Sequence, residues 1–156
     1  MITTRNATYQ DKGFLWALKI ASMRQYVEQV YGWEDNAQRG YFEKGFHPEV
    51  IRIIQHDGHD AGMYELQECG EDWFLARIEI LPEYQNRGIG TVVLQRMIDA
   101  MASTDKPFRL QLFKVNPARK LYARMGFIET GETATHVLME FSNKRRQRSA
   151  DAPAIA

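Results

Sequence analysis

The stretch Glu83–Met97, EYQNRGIGTVVLQRM, sets two glycines one residue apart, an arginine before them and a helix-like run after them. That arrangement suits phosphate. The first amides of a helix have no intrahelical acceptor and carry partial positive charge. Glycine lets backbone come close to a ligand. Four uses compete: a dinucleotide site, a nucleoside-triphosphate loop, a site for some other phosphate, and a plain strand-to-helix turn. The dinucleotide fingerprint wants glycine or alanine at its third position, where this chain has Val93. The triphosphate loop needs a lysine after its last glycine, where this chain has Thr91. Both fall. What remains is a diphosphate held by the amides of Arg87 to Thr91, with the Arg87 side chain adding charge, set against an ordinary turn.

The elements that would position this loop follow from periodicity. Ile2–Thr8 reads as a first strand. Asp11–Val30 spaces Phe14, Leu15, Leu18, Met23, Val27 and Val30 as an amphipathic helix does. A second helix is expected over Asn36–Lys44, capped by Asp35. Val50–Gln55 and Ala61–Gln67 read as a hairpin turning at Asp57-Gly58. Trp73–Leu81 alternates as a strand, with Phe74, Ala76, Ile78 and Ile80 expected on one face. Trp73, Leu75, Arg77, Glu79 and Leu81 would take the other face, and Pro82 ends the strand. Gly90–Ala102 is expected as a helix, Phe108–Val115 as a strand and Pro117–Met125 as a short helix closed by Gly126. Phe127–Thr130 and Thr135–Phe141 complete the sheet. The whole predicts an α/β fold with a mixed, mostly antiparallel sheet of six or seven strands and about four helices.

The 156 residues suit one domain, taken as 1–141. Residues 142–156 form a basic tail expected to be disordered. Twenty basic and twenty acidic residues cancel, so nothing global argues for nucleic acid or an anionic membrane. The start lacks the apolar stretch of a signal peptide, and no apolar run is long enough to span a membrane. A lone cysteine, Cys69, allows no internal disulfide and fits a cytoplasmic setting. It sits in a polar turn with no cation to activate it. No metal site is expected.

Gln85-Asn86-Arg87-Gly88-Ile89-Gly90 resembles the Q/R-x-x-G-x-G/A motif of the GNAT superfamily of acyl-CoA-dependent N-acyltransferases. Asn116-Pro117-Ala118-Arg119-Lys120-Leu121-Tyr122 and Gly126-Phe127 resemble that family's second signature, N-x-x-A-x-x-L-Y-x-x-x-G-F. Ala118 stands one position early; Leu121-Tyr122 and Gly126-Phe127 keep their mutual spacing. The resemblance covers roughly Phe74–Phe141 and implies a GNAT fold, with acetyl-CoA as cosubstrate and a primary amine as acceptor. A small-molecule amine is favoured over a protein terminus or lysine.

The resemblance also implies roles. The diphosphate of acetyl-CoA would rest on Gln85, Asn86, Arg87, Gly88, Ile89, Gly90 and Thr91. Its pantetheine arm would lie along Ile78–Leu81 as an added strand, with Asn116 bonding the arm or nearby backbone. An amide near Ile80 or Leu81 would steady the oxyanion of a tetrahedral intermediate. Tyr122 would protonate the leaving thiolate; otherwise it is a packed aromatic. Glu79 is the candidate base, unless it merely pairs with its same-face neighbour Arg77. His136 and Glu65 are reserves. The acceptor is expected near Tyr26, Trp33 and His136, with Trp33 and the adjacent acids receiving a cation. A non-catalytic acyl-CoA sensor and a nucleic-acid module acting through the tail are the rivals. The chain is expected to be a monomer or homodimer.

Overall fold

A computed structural model describes Met1–Ser142. The basic tail beyond Ser142 lies outside the described residues. Seven strands form one sheet: β1 Ile2–Asn6, β2 Ile51–His56, β3 His59–Cys69, β4 Asp72–Ile80, β5 Phe108–Phe113, β6 Ile128–Glu132 and β7 His136–Phe141. Their order is β1-β2-β3-β4-β5-β7-β6, antiparallel except for the parallel β4–β5 pair. The helices are α1 Lys12–Tyr31, α2 Asp35–Lys44, α3 Ile89–Met101 and α4 Arg119–Met125. No helix among the described residues is long and apolar enough to cross a membrane.

Each sheet face carries its own core. One face buries Leu75, Leu110 and Met139 against Val93, Leu94 and Met97 of α3 and Tyr122 of α4. The other buries Ile51, Ile53 and Met63 against Leu15 and Leu18 of α1 and Phe42 of α2. The entry to α1 is tied to the sheet by ions. Arg5 on β1 donates to both carboxylate oxygens of Asp11 at 2.8 and 2.9 Å and to Asp60 on β3 at 2.8 Å. The guanidinium holds the Asp11 carboxyl below its ordinary range. The helix that walls the cleft described below is thereby fixed at its first turn. At α2 the cap is Glu34, whose carboxylate accepts from the amides of Asn36 and Ala37. The expected cap, Asp35, accepts from the Trp33 indole instead.

Strand β4 departs from simple alternation. Opposite β3, Glu65 faces Arg77 and Leu66 faces Leu75, so Ala76 is an extra residue without a partner. Such a bulge shifts the side-chain phase by one. Leu75 therefore shares the α3 face with Ile78 and Ile80, while Arg77 lies beside Glu65 on the α1 side. The expected grouping of Leu75 with Arg77 and Glu79 is corrected by that one residue.

The bulge coincides with a parting of strands. β4 and β5 pair only at Trp73–Phe108, Phe74–Arg109 and Leu75–Leu110. From Ala76 onward β4 stays paired with β3 and leaves β5. On the β3 side the approach is close. A Cβ built at Gly62 would lie 2.3 Å from the Glu79 carbonyl oxygen. At Gly90 a Cβ would meet Leu121 at 3.4 Å and Ile80 at 3.6 Å, both ordinary contacts for a flexible side chain.

Two alanine substitutions should therefore behave oppositely. Gly62→Ala must push β3 from β4 and should lose about 1–3 kcal/mol in urea unfolding. Gly90→Ala should be neutral or gain up to roughly 1 kcal/mol, because glycine is a poor helix former. Equal effects of the two would contradict the close approach at Gly62.

Candidate active site

The gap between β4 and β5 holds two adjoining cavities. One, of about 580 Å³, runs from the start of α3 to the N-terminal end of α4. The other, of about 260 Å³, lies between α1 and the sheet. Met23, Ile78, Glu79, Asn116 and Tyr122 line both. The junction thus carries a carboxyl, a phenol and a carboxamide.

The larger cavity contains the loop singled out in the sequence. Gly88 adopts a left-handed φ of 79° and starts α3 without any side-chain cap. The first intrahelical bond is from the Val92 amide to the Gly88 carbonyl, 3.0 Å. The amides of Ile89, Gly90 and Thr91 accordingly have no protein acceptor among the described residues, and all three residues line the cavity. Asn86, also with positive φ at 60°, and Gln85 line it as well. The Gln85 side-chain amide donates to the Ile80 carbonyl at 2.9 Å. Arg87 differs from expectation. Its guanidinium lies over the Tyr84 ring, 5.4 Å from the centroid, and it does not line the cavity. The cations that do are Lys120 and Arg124, one turn apart on α4. Their i, i+4 spacing was visible in the sequence, but nothing there said which way α4 faced.

The free edge of β4 can be read from one hydrogen bond. The Leu81 amide donates to the Ala61 carbonyl at 2.9 Å, one residue outside the Gly62–Ile80 pair. In an antiparallel ladder such a pair turns its own N–H and C=O groups away from the partner strand. Ile80, and Ile78 two residues before it, therefore point their backbone groups into the gap. Leu81 is excluded as an oxyanion donor because its amide is already used. The sequence left the two residues open.

Glu79 is 7% exposed, and burial raises its carboxyl above the ordinary range, opposed by Arg77 and Lys19. The alternative set beside its use as a base, a pair with Arg77, does not occur. Arg77 donates to Glu65 at 3.1 Å, and Glu65 also accepts from Gln67 at 2.6 Å. The reserve base is thus engaged, while Glu79 has no hydrogen-bond partner among the described residues. Tyr122 is 6% exposed, packed edge-on to Phe127 at 5.7 Å. Burial pushes its phenol well up, so it stays protonated. Its hydroxyl has no partner among the described residues. Asn116 accepts from the Ala118 amide at 3.0 Å, which leaves its carboxamide nitrogen free at the junction.

The three expected acceptor residues are dispersed. His136 lines the smaller cavity, its ring 4.5 Å from that of Phe113 and its Nδ1 2.7 Å from the Thr135 hydroxyl. Tyr26 lines the larger cavity instead. Trp33 lines neither: it packs on Trp16 at 6.2 Å, under the Arg24 guanidinium at 5.1 Å, and walls a separate surface hollow. The acids beside it are spent on the α2 cap and the indole N–H. Lys19 and Gln111, which the sequence did not single out, line the smaller cavity. Among the described residues no group of three or more His, Cys, Asp or Glu could hold a metal ion.

Comparison with known proteins gives the following. Residues 47–129 match the family model described as an acetyltransferase (GNAT) domain. No curated protein sequence matches the chain. Among solved structures, the PaiA N-acetyltransferase of Thermoplasma acidophilum in complex with coenzyme A superposes with a TM-score of 0.74 at 17% identity, over 91% of this chain and 99% of that one. The ribosomal-protein alanine N-acetyltransferase of Escherichia coli gives 0.67 at 18% identity, over 91% and 94%. The N-acetylglutamate synthase of Neisseria gonorrhoeae, complexed with coenzyme A and N-acetyl-glutamate, gives 0.61 at 19% identity, over 89% of this chain and 34% of that one. At these identities the likeness is one of fold.

The buried Glu79 has a consequence for stability. Its folded-state pKa lies above its unfolded one, so its contribution is favourable at low pH and is lost as pH rises through the folded value. Glu79→Gln should therefore melt higher than the wild type at about pH 8, by roughly 2–4 °C for each kcal/mol recovered. The gap should close towards about pH 5. Thermal melts across pH check this; a variant less stable at high pH would contradict it.

Proposed function

The chain belongs to the GNAT acetyltransferase family, and from that premise we propose that it transfers an acetyl group from acetyl-CoA to the primary amine of a small molecule by direct attack. The observation that carries this reading is the meeting of two cavities at Glu79, Tyr122 and Asn116.

The larger cavity suits acetyl-CoA on three counts. The unpaired amides at the start of α3 suit its diphosphate. Lys120 and Arg124 add positive charge from the opposite wall. The Ile78 backbone groups and the Ile80 amide suit the amide-bearing arm as an added strand, while the Ile80 carbonyl already accepts from Gln85. When bound, acetyl-CoA supplies a thioester carbonyl and a thiolate leaving group. The Ile80 amide then donates where the carbonyl oxygen gains charge. Glu79 removes the proton that makes the incoming ammonium unreactive. Its raised pKa brings it nearer the working pH, where a base is most effective. Tyr122, held protonated by burial, delivers a proton to the sulfur.

The smaller cavity, at about 260 Å³, falls below the roughly 300–1,000 Å³ of sites for drug-sized ligands. That favours a small acceptor over a folded protein surface. A cytoplasmic setting is part of the same proposal and rests on the cysteine usage noted above.

Tyr122→Phe tests the mechanism. Thiol release with an accepted amine should slow by about 10²–10⁴-fold, the usual worth of a positioned acid. Coenzyme A affinity, measured by calorimetry, should stay within about twofold, since truncating the hydroxyl leaves the α3 amides untouched. An unchanged rate would overturn the role of Tyr122. Tight binding with no turnover by the wild type would favour a sensor.

A further inference from the structure

Lys19, a cation without an ion-pair partner among the described residues, is one of the residues that line the smaller cavity. It stands on α1, with its ammonium over the rings of Trp16 at 5.9 Å and Trp33 at 6.0 Å, which themselves lie outside the cavity lining. No carboxylate of the described residues lies within 4.0 Å of the ammonium. We propose that Lys19 receives the carboxylate of the acceptor, so that the acceptor is an amino acid or a similar amino carboxylate. The proposal deepens the acetyl-transfer reading and rests on it.

The charges around the cavity support this assignment. Arg77 also lines it, but its guanidinium is already engaged by the Glu65 carboxylate at 3.1 Å. His136 and Tyr122 are the other titratable groups in the wall; the His136 Nδ1 is engaged by Thr135, and burial keeps the Tyr122 phenol neutral. Glu79 remains, at the junction, and Lys19 lines only the cavity behind it. Burial lowers the Lys19 ammonium and raises the Glu79 carboxyl; each is opposed by the other's charge, but from beyond the 4.0 Å of an ion pair. A buried charge is tolerated when paired. An amino carboxylate supplies both partners at once. Its ammonium meets Glu79 beside the reacting centre, and its carboxylate meets Lys19 deeper in. A simple amine would leave Lys19 unmatched, and a diamine would place two cations together.

The two indoles give Lys19 a fixed direction. A lysine in open solvent samples many rotamers and loses that freedom on binding. Cation–π contacts with Trp16 and Trp33 restrict it beforehand. This gives Trp33 a place in the account at one remove: it positions a residue of the cavity without lining the cavity itself.

Lys19 has one other plausible use, which is to tune Glu79 through space. The experiment separates the two. Thiol release from acetyl-CoA is followed with amino acids and with the matching amino-acid amides and decarboxylated amines. The wild type should prefer the free carboxylate by about tenfold or more in kcat/KM. Lys19→Met should abolish that preference, chiefly through KM, with the amino acids losing about tenfold more than the amides and amines. Lys19→Arg should retain most of it. A wild type without the preference would overturn the proposal, as would an equal loss on all three classes in Lys19→Met. The equal loss would mark Lys19 as a tuner of Glu79. Amines turned over without any carboxylate effect would leave acetyl transfer standing and remove only this inference. No thiol release with any amine would remove both.

Discussion

The molecule depends on the parting of β4 from β5. A parallel pair of central strands would ordinarily be laddered along its length and covered on both faces. Here the ladder ends at Leu75–Leu110, and the extra residue Ala76 bends β4 away while the β3 ladder continues. One strand is thus fully held on one side and open on the other. Beyond Leu75 its outward backbone groups have no strand partner. The helices that bury the two sheet faces also wall the gap, α1 from one side and α3 and α4 from the other.

Burial then sets the chemistry. Glu79 and Tyr122 stand at the base of the gap, where desolvation acts on both in the same sense. A carboxyl raised towards neutral pH is suited to exchanging a proton, and a phenol kept protonated is suited to giving one. Burying Glu79 costs most when it is ionised, and the apolar clusters on the two faces offset that cost. Arg77 opposes the rise of the Glu79 carboxyl only through space, because its ion pair is with Glu65. Had it paired with Glu79 instead, the carboxylate would be an ordinary ion with no reason to accept a proton near neutrality.

Much of this was legible in the sequence, for local reasons. The strand and helix patterns around Glu83–Met97 and Asn116–Phe127 follow from periodicity, proline and glycine, and they place the loop at the start of α3. The bulge was not legible, because Ala76 fits a regular strand as well as a bulged one. Its invisibility explains the misplaced grouping of Leu75 with Arg77 and Glu79. Trp33 and its acids looked like a cation site because neighbours in sequence were taken as neighbours in use. In the fold the acids are consumed by the α2 cap and the indole. Lys19 was missed for the converse reason: on α1 it sits between apolar positions as any solvated lysine would. Only the tertiary contact of α1 with β4 makes it part of a cavity. Likewise the charge expected from Arg87 comes from Lys120 and Arg124, whose direction depends on how α4 docks.

The most direct measurement is residue-resolved amide hydrogen exchange by NMR, with and without coenzyme A. In the free protein the amides of Arg77 and Glu79 should exchange slowly and those of Ile78 and Ile80 quickly, because only the first pair is laddered. Coenzyme A should slow Ile78, Ile80, Gly90 and Thr91 and leave Leu81 unchanged. Equal protection of all the β4 amides in the free protein would contradict a parted β4–β5 edge. Coenzyme A binding without protection of the β4 and α3 amides would contradict the site built on it.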